Sequence, residues 1–469
     1  MMSVARKASK TGAARSKASA ATLSPTRPLR GIIADVLRIA KSAGAEDAEV
    51  HVDEVLDDLT RFANNAIHQN VSENGITVSI RTVAEGRTAR VTTNRLDENS
   101  LRAAVDSALS LAASQPADPQ LLALPGKQRY RAVQRFSKQT AAVTPENRAR
   151  AVRRACDLAV KRGQIAAGIF STGQSQTVMG NSRGLLAAYR ETHAEFSITM
   201  QEAPAASWAK ANAGDVRQFD PQQLAARASE KAHLAVDAKE IPTGKYTVIL
   251  EPAAALDLVG FLFYDFAATA VADKRSCLNE RMGKPLFGKN ITIVDDVYHP
   301  LQLGAPYDGE GIPRQKALLV DRGVPKNLVY SRRAAKDAHK SATGHGFMLP
   351  NEYGEAPMNL VFSGGDSSVE KMIASTDRGL LVTRIWYIRE VDPYEKIMTG
   401  MTRDGLFLVE NGKITSAVRN FRFNQSILEA LRNVEMLSPA IRASGEEAFE
   451  MVMPAMKIRD FNFSEVTKF

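Results

Sequence analysis

Between Leu29 and Ala43 the apolar residues Ile32, Val36, Ile39 and Ala40 recur at helical spacing, and Gly44 supplies a stop, so a first helix is predicted there. Ala48–Val55 then alternates apolar and polar residues as a half-buried strand does. Ile76–Ser79 and Thr88–Thr93 read as strands on either side of a hairpin signal, Ala84-Glu85-Gly86, and Asn99–Ala113 returns to a helical period. Pro116, Asp118, Pro119 and Pro125 mark a linker. These elements predict an N-terminal α+β domain over residues 29–125.

A second α+β region is expected over 126–240. Thr144 followed by Pro145 opens a helix that runs to Val160. Strand-like stretches follow at Gln174–Met179, Leu185–Tyr189 and Glu195–Gln201, then a helix over Pro221–Val236. Beyond it Tyr246–Leu250 reads as a strand, Pro252–Ala270 as a helix, and most of the remainder as short strands between Gly- and Pro-rich turns. The fold class expected is α+β, with a large C-terminal domain over 241–469 that is β-rich and built of antiparallel sheet, barrel-like. No repeat of 20 to 50 residues stands out against that reading.

The length of 469 residues accommodates several domains. Composition, 44% hydrophobic and 24% charged, is that of a soluble protein. The most apolar stretch, Ala253–Ala272, contains Asp257 and Asp265, and reads as a buried helix rather than a membrane span. The formal charge of +9 is concentrated at the start: residues 1–30 hold Arg6, Lys7, Lys10, Arg15, Lys17, Arg27 and Arg30 and no acid, which leaves +2 for the rest (9 − 7). The Ala- and Ser-rich segment 1–28 is read as a disordered basic tail; an organelle transit peptide and a nucleic-acid arm share its composition. With the charge in the tail, no basic groove is needed to explain it, and nucleic acid is not the expected partner. The two cysteines, Cys156 and Cys277, lack CxxC spacing and read as buried thiols in a reducing, cytoplasmic setting.

Other chemistry-bearing patterns are weak. His339 and His345 lie six residues apart, with His345 in Thr343-Gly344-His345-Gly346, and both read as surface or capping residues. Asp308-Gly309-Glu310-Gly311 lacks the ligand series of an EF-hand and reads as a turn requiring positive φ. Ser363-Gly364-Gly365-Asp366-Ser367-Ser368 is no phosphate loop and reads as a flexible segment; no GxSxG elbow supports a serine nucleophile.

Four segments, Ile293-Val294-Asp295-Asp296, Tyr307–Arg314 (YDGEGIPR), Leu319–Asn327 (LVDRGVPKN) and Ser341-Ala342-Thr343-Gly344, follow the opening pattern Ser42-Ala43-Gly44-Ala45 to Val50 in an order that resembles the TldD/PmbA family, long described as modulators of DNA gyrase. The resemblance covers nearly all of the chain after the tail. It implies zinc peptidases of the TldD type, with a His-Glu-x-x-Gly-His helix and a cysteine near the C-terminus, and TldE or PmbA types that lack the metal site and pair with a TldD partner. This chain is similar to the second type. Aligning Gly260 with the motif glycine sets Leu256 and Phe261 at the histidine positions and Asp257 at the glutamate, and no cysteine follows Cys277.

Zinc takes N, S or O donors, which Leu and Phe do not have, and without the metal Asp257 has no activated water to deprotonate. Asp257 is therefore read as structural, near the positive end of a helix. Gly260 fits a local backbone distortion or close helix packing equally well. No catalytic residue, cofactor or metal ligand is expected in this chain, and Leu256, Asp257, Gly260 and Phe261 are read as vestigial positions. Zinc is expected in a TldD-like partner, with unfolded peptide as substrate and a homodimer open for the chain by itself. An active hydrolase with a rearranged site and a DNA-associated regulator are the competing readings.

Overall fold

The computed structural model describes Leu23 and residues 26–467. The basic tail expected at 1–28 lies almost wholly outside them.

Helix α1 (Thr26–Ser42) leads into β1 (Asp47–Ala63), β2 (Ala66–Ala84) and β3 (Arg87–Thr93). The β1–β2 turn is Asn64-Asn65, with φ of 51° and 62°, and the β2–β3 turn is Glu85-Gly86, with φ of 51° and 70°. Two successive positive φ values define the tight hairpin turns whose twist matches that of the strands, and Asn and Gly tolerate them. Helix α2 (Glu98–Ala113) is capped by Asp97, whose side chain accepts from Ser100 N–H. A short α3 (Lys138–Ala141) precedes α4 (Pro145–Lys161), where Thr144 and Asn147 form a reciprocal capping box with Pro145 in the first turn. Then come β4 (Ile165–Asn181), β5 (Leu186–Glu202), β6 (Ala205–Ala213) and α5 (Pro221–Leu234), capped by Asp220.

The six strands form one antiparallel sheet in the order β3-β2-β1-β4-β5-β6. Because β1 lies between β2 and β4, strands from both sides of the 116–125 linker share a single sheet. Helices cover one face in two halves. Leu29, Ile33, Val36 and Ile39 of α1 and Leu101 and Val105 of α2 bury Val50, Val52, Val78 and Ile80. Val152, Ala155 and Ala159 of α4 and Leu224, Ala225 and Ala228 of α5 bury Phe62, Phe170, Phe196 and Ile198.

The C-terminal domain begins with β7 (Gly244–Leu250). Its strands Gly244–Leu250, Met456–Val466, Phe421–Ser426, Ile397–Glu410 and Arg378–Asp392 pair in that order, and the last returns to the first, closing a five-stranded barrel in which only the Arg378–Asp392 and Gly244–Leu250 pair is parallel. Closure removes free edges. Phe421, Phe423, Phe461 and Phe463 interlock in its core, with ring centroids 5.0 to 5.5 Å apart. A second, mixed sheet of short strands includes Ile293–Asp295, Ala317–Asp321, Leu360–Phe362 and Met451–Met453. The chain is thus α+β with a β-rich, barrel-containing C-terminal domain.

The two parts are fastened by polar contacts. Arg442 Nε donates to Asn212 Oδ1 (2.9 Å), Arg90 Nε to the Leu349 carbonyl (2.6 Å), Tyr130 Oη to the Gly311 carbonyl (2.8 Å), and Lys231 Nζ meets Glu251 at 2.6 Å. No helix among the described residues is long and apolar enough to cross a membrane.

Candidate functional site

The segment expected to be one helix over 252–270 is broken in two places. Helix α6 (Pro252–Val259) passes at Gly260 into a 3₁₀ turn, Gly260–Phe266, and Ala267 leaves helical geometry before a last short helix, Ala268–Ala272. Positions 256 and 261 therefore straddle the change of helix type. Gly260 has an ordinary helical φ of −57°, and a Cβ there would sit 2.5 Å from Ala448 Cβ. Close packing against the 445–449 segment, rather than an unusual backbone, requires this glycine.

Leu256 is fully buried in the barrel-side core, and Phe261 is half-buried against it. Between them Asp257 is fully buried, and its carboxylate accepts from three consecutive backbone amides: Glu446 (3.0 Å), Glu447 (3.0 Å) and Ala448 (3.1 Å). These donors, not the N-terminal end of its own helix, hold the side chain. Gly445 completes the cradle, since a Cβ there would overlap the carboxylate. Burial outweighs the amides and raises the Asp257 pKa to about 6.

The tethered loop also faces the open side of the first sheet. Lys210 Nζ donates to the Gly445 carbonyl (3.0 Å) and lies 3.4 Å from Glu195 and 3.8 Å from Glu446. Arg384 joins Asp404 (2.7 Å) to Glu446 (3.7 Å) and stacks 4.8 Å over the Trp208 ring. Tyr387 N–H donates to Glu447 at 2.7 Å. Beside these groups lies a cavity of about 480 Å³ with a polar wall of Ser197, Thr199 and Gln201.

This arrangement does not fit zinc. Both histidine positions carry hydrocarbon, no cysteine follows Cys277, and both oxygens of Asp257, at the glutamate position, are engaged by amides. Among the described residues no group of three or more His, Cys, Asp or Glu is placed to hold a metal. Cys277 is buried, its thiol pKa pushed up by burial and by Asp265, and Cys156 is likewise free and buried. Sequence reasoning missed the residues that meet Asp257; Ser444-Gly445-Glu446-Glu447 carries only the signal of a glycine turn.

The other candidate residues lie apart from one another. His345, read as a surface or capping residue, is fully buried, with Nε2 3.0 Å from Asp295 Oδ1 and Nδ1 2.9 Å from Thr343 Oγ1. The reason is the second sheet, whose strand Ile293–Asp295 brings a buried carboxylate to the loop. Burial opposes ionisation of Asp295, but His345, Arg314 and the Asn359 amide keep its pKa low. His339 is exposed, at φ 52°, just past a short helix. The Asp308–Gly311 turn has positive φ at Gly311 (77°), and Asp308 accepts from the amides of Glu310, Ile312 and Gly346, so its carboxylate closes a turn. The 363–368 segment, read as flexible, is pinned: Gly365 N–H donates to Ser438 and Ser367 N–H to Leu437.

Residues 243–465 match the PmbA/TldA metallopeptidase C-terminal domain and residues 48–112 match PmbA/TldA metallopeptidase domain 1. Together these span more than half of the chain, which belongs to the PmbA/TldD family. The fold is similar to that of TldE from Thermococcus kodakarensis (TM-score 0.84, 19% identity, covering 92% of this chain and 100% of that one). Among curated relatives, a metalloprotease of Methanocaldococcus jannaschii is 25% identical over 46% of this chain and 48% of its own length. A metalloprotease PmbA homolog of Haemophilus influenzae is 22% identical over 62% of this chain and 63% of its own. The chain thus matches from about half to under two thirds of these relatives' lengths.

Proposed function

We propose that this chain is a catalytically silent, TldE/PmbA-like subunit that pairs with a zinc-bearing TldD-like peptidase and supplies part of the enclosure in which unfolded peptides are degraded or trimmed. The observation that carries the reading is the donor set at α6: Leu256 and Phe261 offer no lone pair, and Asp257 is committed to the 446–448 amides. Fold likeness to a TldE supports the choice of subunit type. The polar cleft lined by Ser197, Thr199, Gln201 and Glu446 suits a polypeptide wall, because backbone amides and carbonyls are recognised by polar groups irrespective of side chains. The setting proposed is cytoplasmic.

Co-expression with a TldD-like subunit from the same organism tests the reading. The expected result is a complex of the two chains that cleaves a labelled unfolded peptide in a chelator-sensitive way, while this chain alone leaves the peptide intact. Cleavage by the isolated chain would establish an active hydrolase with a rearranged site. Failure to associate, with tight DNA binding that weakens steeply with salt, would favour the DNA-associated regulator.

A further inference from the structure

Side chains of β5 alternate between the two faces of the first sheet. Phe196, Ile198 and Met200 are buried under α4 and α5, so Ser197, Thr199 and Gln201 stand together on the opposite face, in register with Lys210, Trp208 and Ala206 of β6. They form the floor of the cleft of about 480 Å³, whose other walls are Arg384, Arg403, Asp404 and Glu446. The small side chain of Ala206 beside Gln201 leaves the floor open.

The charged groups of the walls are engaged with one another. Arg384 Nη1 lies 2.7 Å from Asp404 and Nη2 3.7 Å from Glu446, while Arg403 Nε lies 3.5 Å from Asp404 and its guanidinium stacks over the Trp386 ring. Lys210 is taken by the Gly445 carbonyl and Glu195. Two guanidinium groups and two carboxylates thus line the cleft and cancel, so an incoming charge finds no uncommitted counter-charge there. The neutral groups of the floor are different. Ser197 Oγ accepts from Trp208 Nε1 (3.2 Å) and keeps its own hydrogen to donate, and among the described residues the Thr199 hydroxyl and the Gln201 amide meet no protein partner. An apolar side chain laid on this floor cuts those groups off from water and returns no hydrogen bond.

We propose that this cleft selects, along a bound polypeptide, an uncharged side chain that carries both a donor and an acceptor, glutamine or asparagine, with its amide meeting Ser197, Thr199 and Gln201. The inference rests on the reading of this cleft as part of a polypeptide wall and adds a preference to it.

Capped pentapeptides Ala-Ala-X-Ala-Ala, with glutamine, leucine, glutamate or lysine at X, titrated into the full chain test it. The chain has two tryptophans, so Trp386→Phe, which keeps a ring under Arg403, leaves the emission of Trp208 as a reporter in the cleft wall. The glutamine peptide is expected to bind about tenfold or more tightly than the other three, because a site that hydrogen-bonds its ligand rejects analogues that leave its polar groups unpaired. Adding Thr199→Val and Gln201→Leu, both on the open face, is expected to remove the preference while circular dichroism stays that of the parent. Equal binding of all four peptides would overturn the selectivity and leave the polypeptide wall standing. Tighter binding of the leucine or a charged peptide, or a preference unchanged by the two added substitutions, would overturn it too. Absence of binding for all four at millimolar concentration would overturn the proposal together with the role of this cleft in the wall, whereas pairing with a peptidase subunit is judged by co-expression alone.

Discussion

Asp257 shows how much one side chain decides. Its raised pKa of about 6 means that the folded state holds the proton more tightly than the unfolded chain does. The stability linked to that proton is therefore present below about pH 4 and is lost as pH rises through 6, by up to about 3 kcal/mol. Asp257→Asn removes the titration. The stability of the parent relative to this variant, from urea unfolding, is expected to be greater at pH 4 than at pH 7, and a pH-independent difference would contradict the assignment. Gly260→Ala drives a methyl group into Ala448 and is expected to destabilise the protein by ~1–3 kcal/mol in the same assay. The place of Asp257 in a buried helix was legible in the sequence. Its partners were not, because the amides it binds lie 189 to 191 residues further on and no local pattern joins them.

At the scale of elements, α6 and the 445–449 loop behave as one unit through that carboxylate. Asp257→Ala leaves three amides without their acceptor, and hydrogen exchange at Glu446, Glu447 and Ala448 is expected to accelerate by about tenfold or more, with exchange in the first sheet unchanged. Unaltered exchange in the loop would show that Asp257 is not its tether. Helix ends read well from sequence because capping is local: Thr144-Pro145 opens α4 where expected. Strand lengths read poorly. The sequence suggested strands at 48–55 and 76–79, whereas β1 and β2 run for 17 and 19 residues and meet at Asn64-Asn65. Much of β2 between Ala66 and Gly75 is exposed, so the alternation that marks a half-buried strand fades there. The break of the 252–270 helix was hidden for the opposite reason, since residues buried on nearly every side carry no period.

For the whole molecule, order along the chain told more than any single motif. The segments at 293–296 and 319–327 contribute to the second sheet and its turns, which are scaffold rather than chemistry. Family membership follows from them, but a single sheet spanning both sides of the 116–125 linker does not, because strand order is set by pairings such as Val52 with Val178 that are remote in sequence. If the chain serves a partner's zinc, the two purified together are expected to carry one zinc per pair. The most direct measurement is the metal content and peptide cleavage of this chain purified alone and equilibrated with zinc. The expected result is no stoichiometric metal and no chelator-sensitive cleavage; zinc close to one per chain, with cleavage, would contradict the central claim.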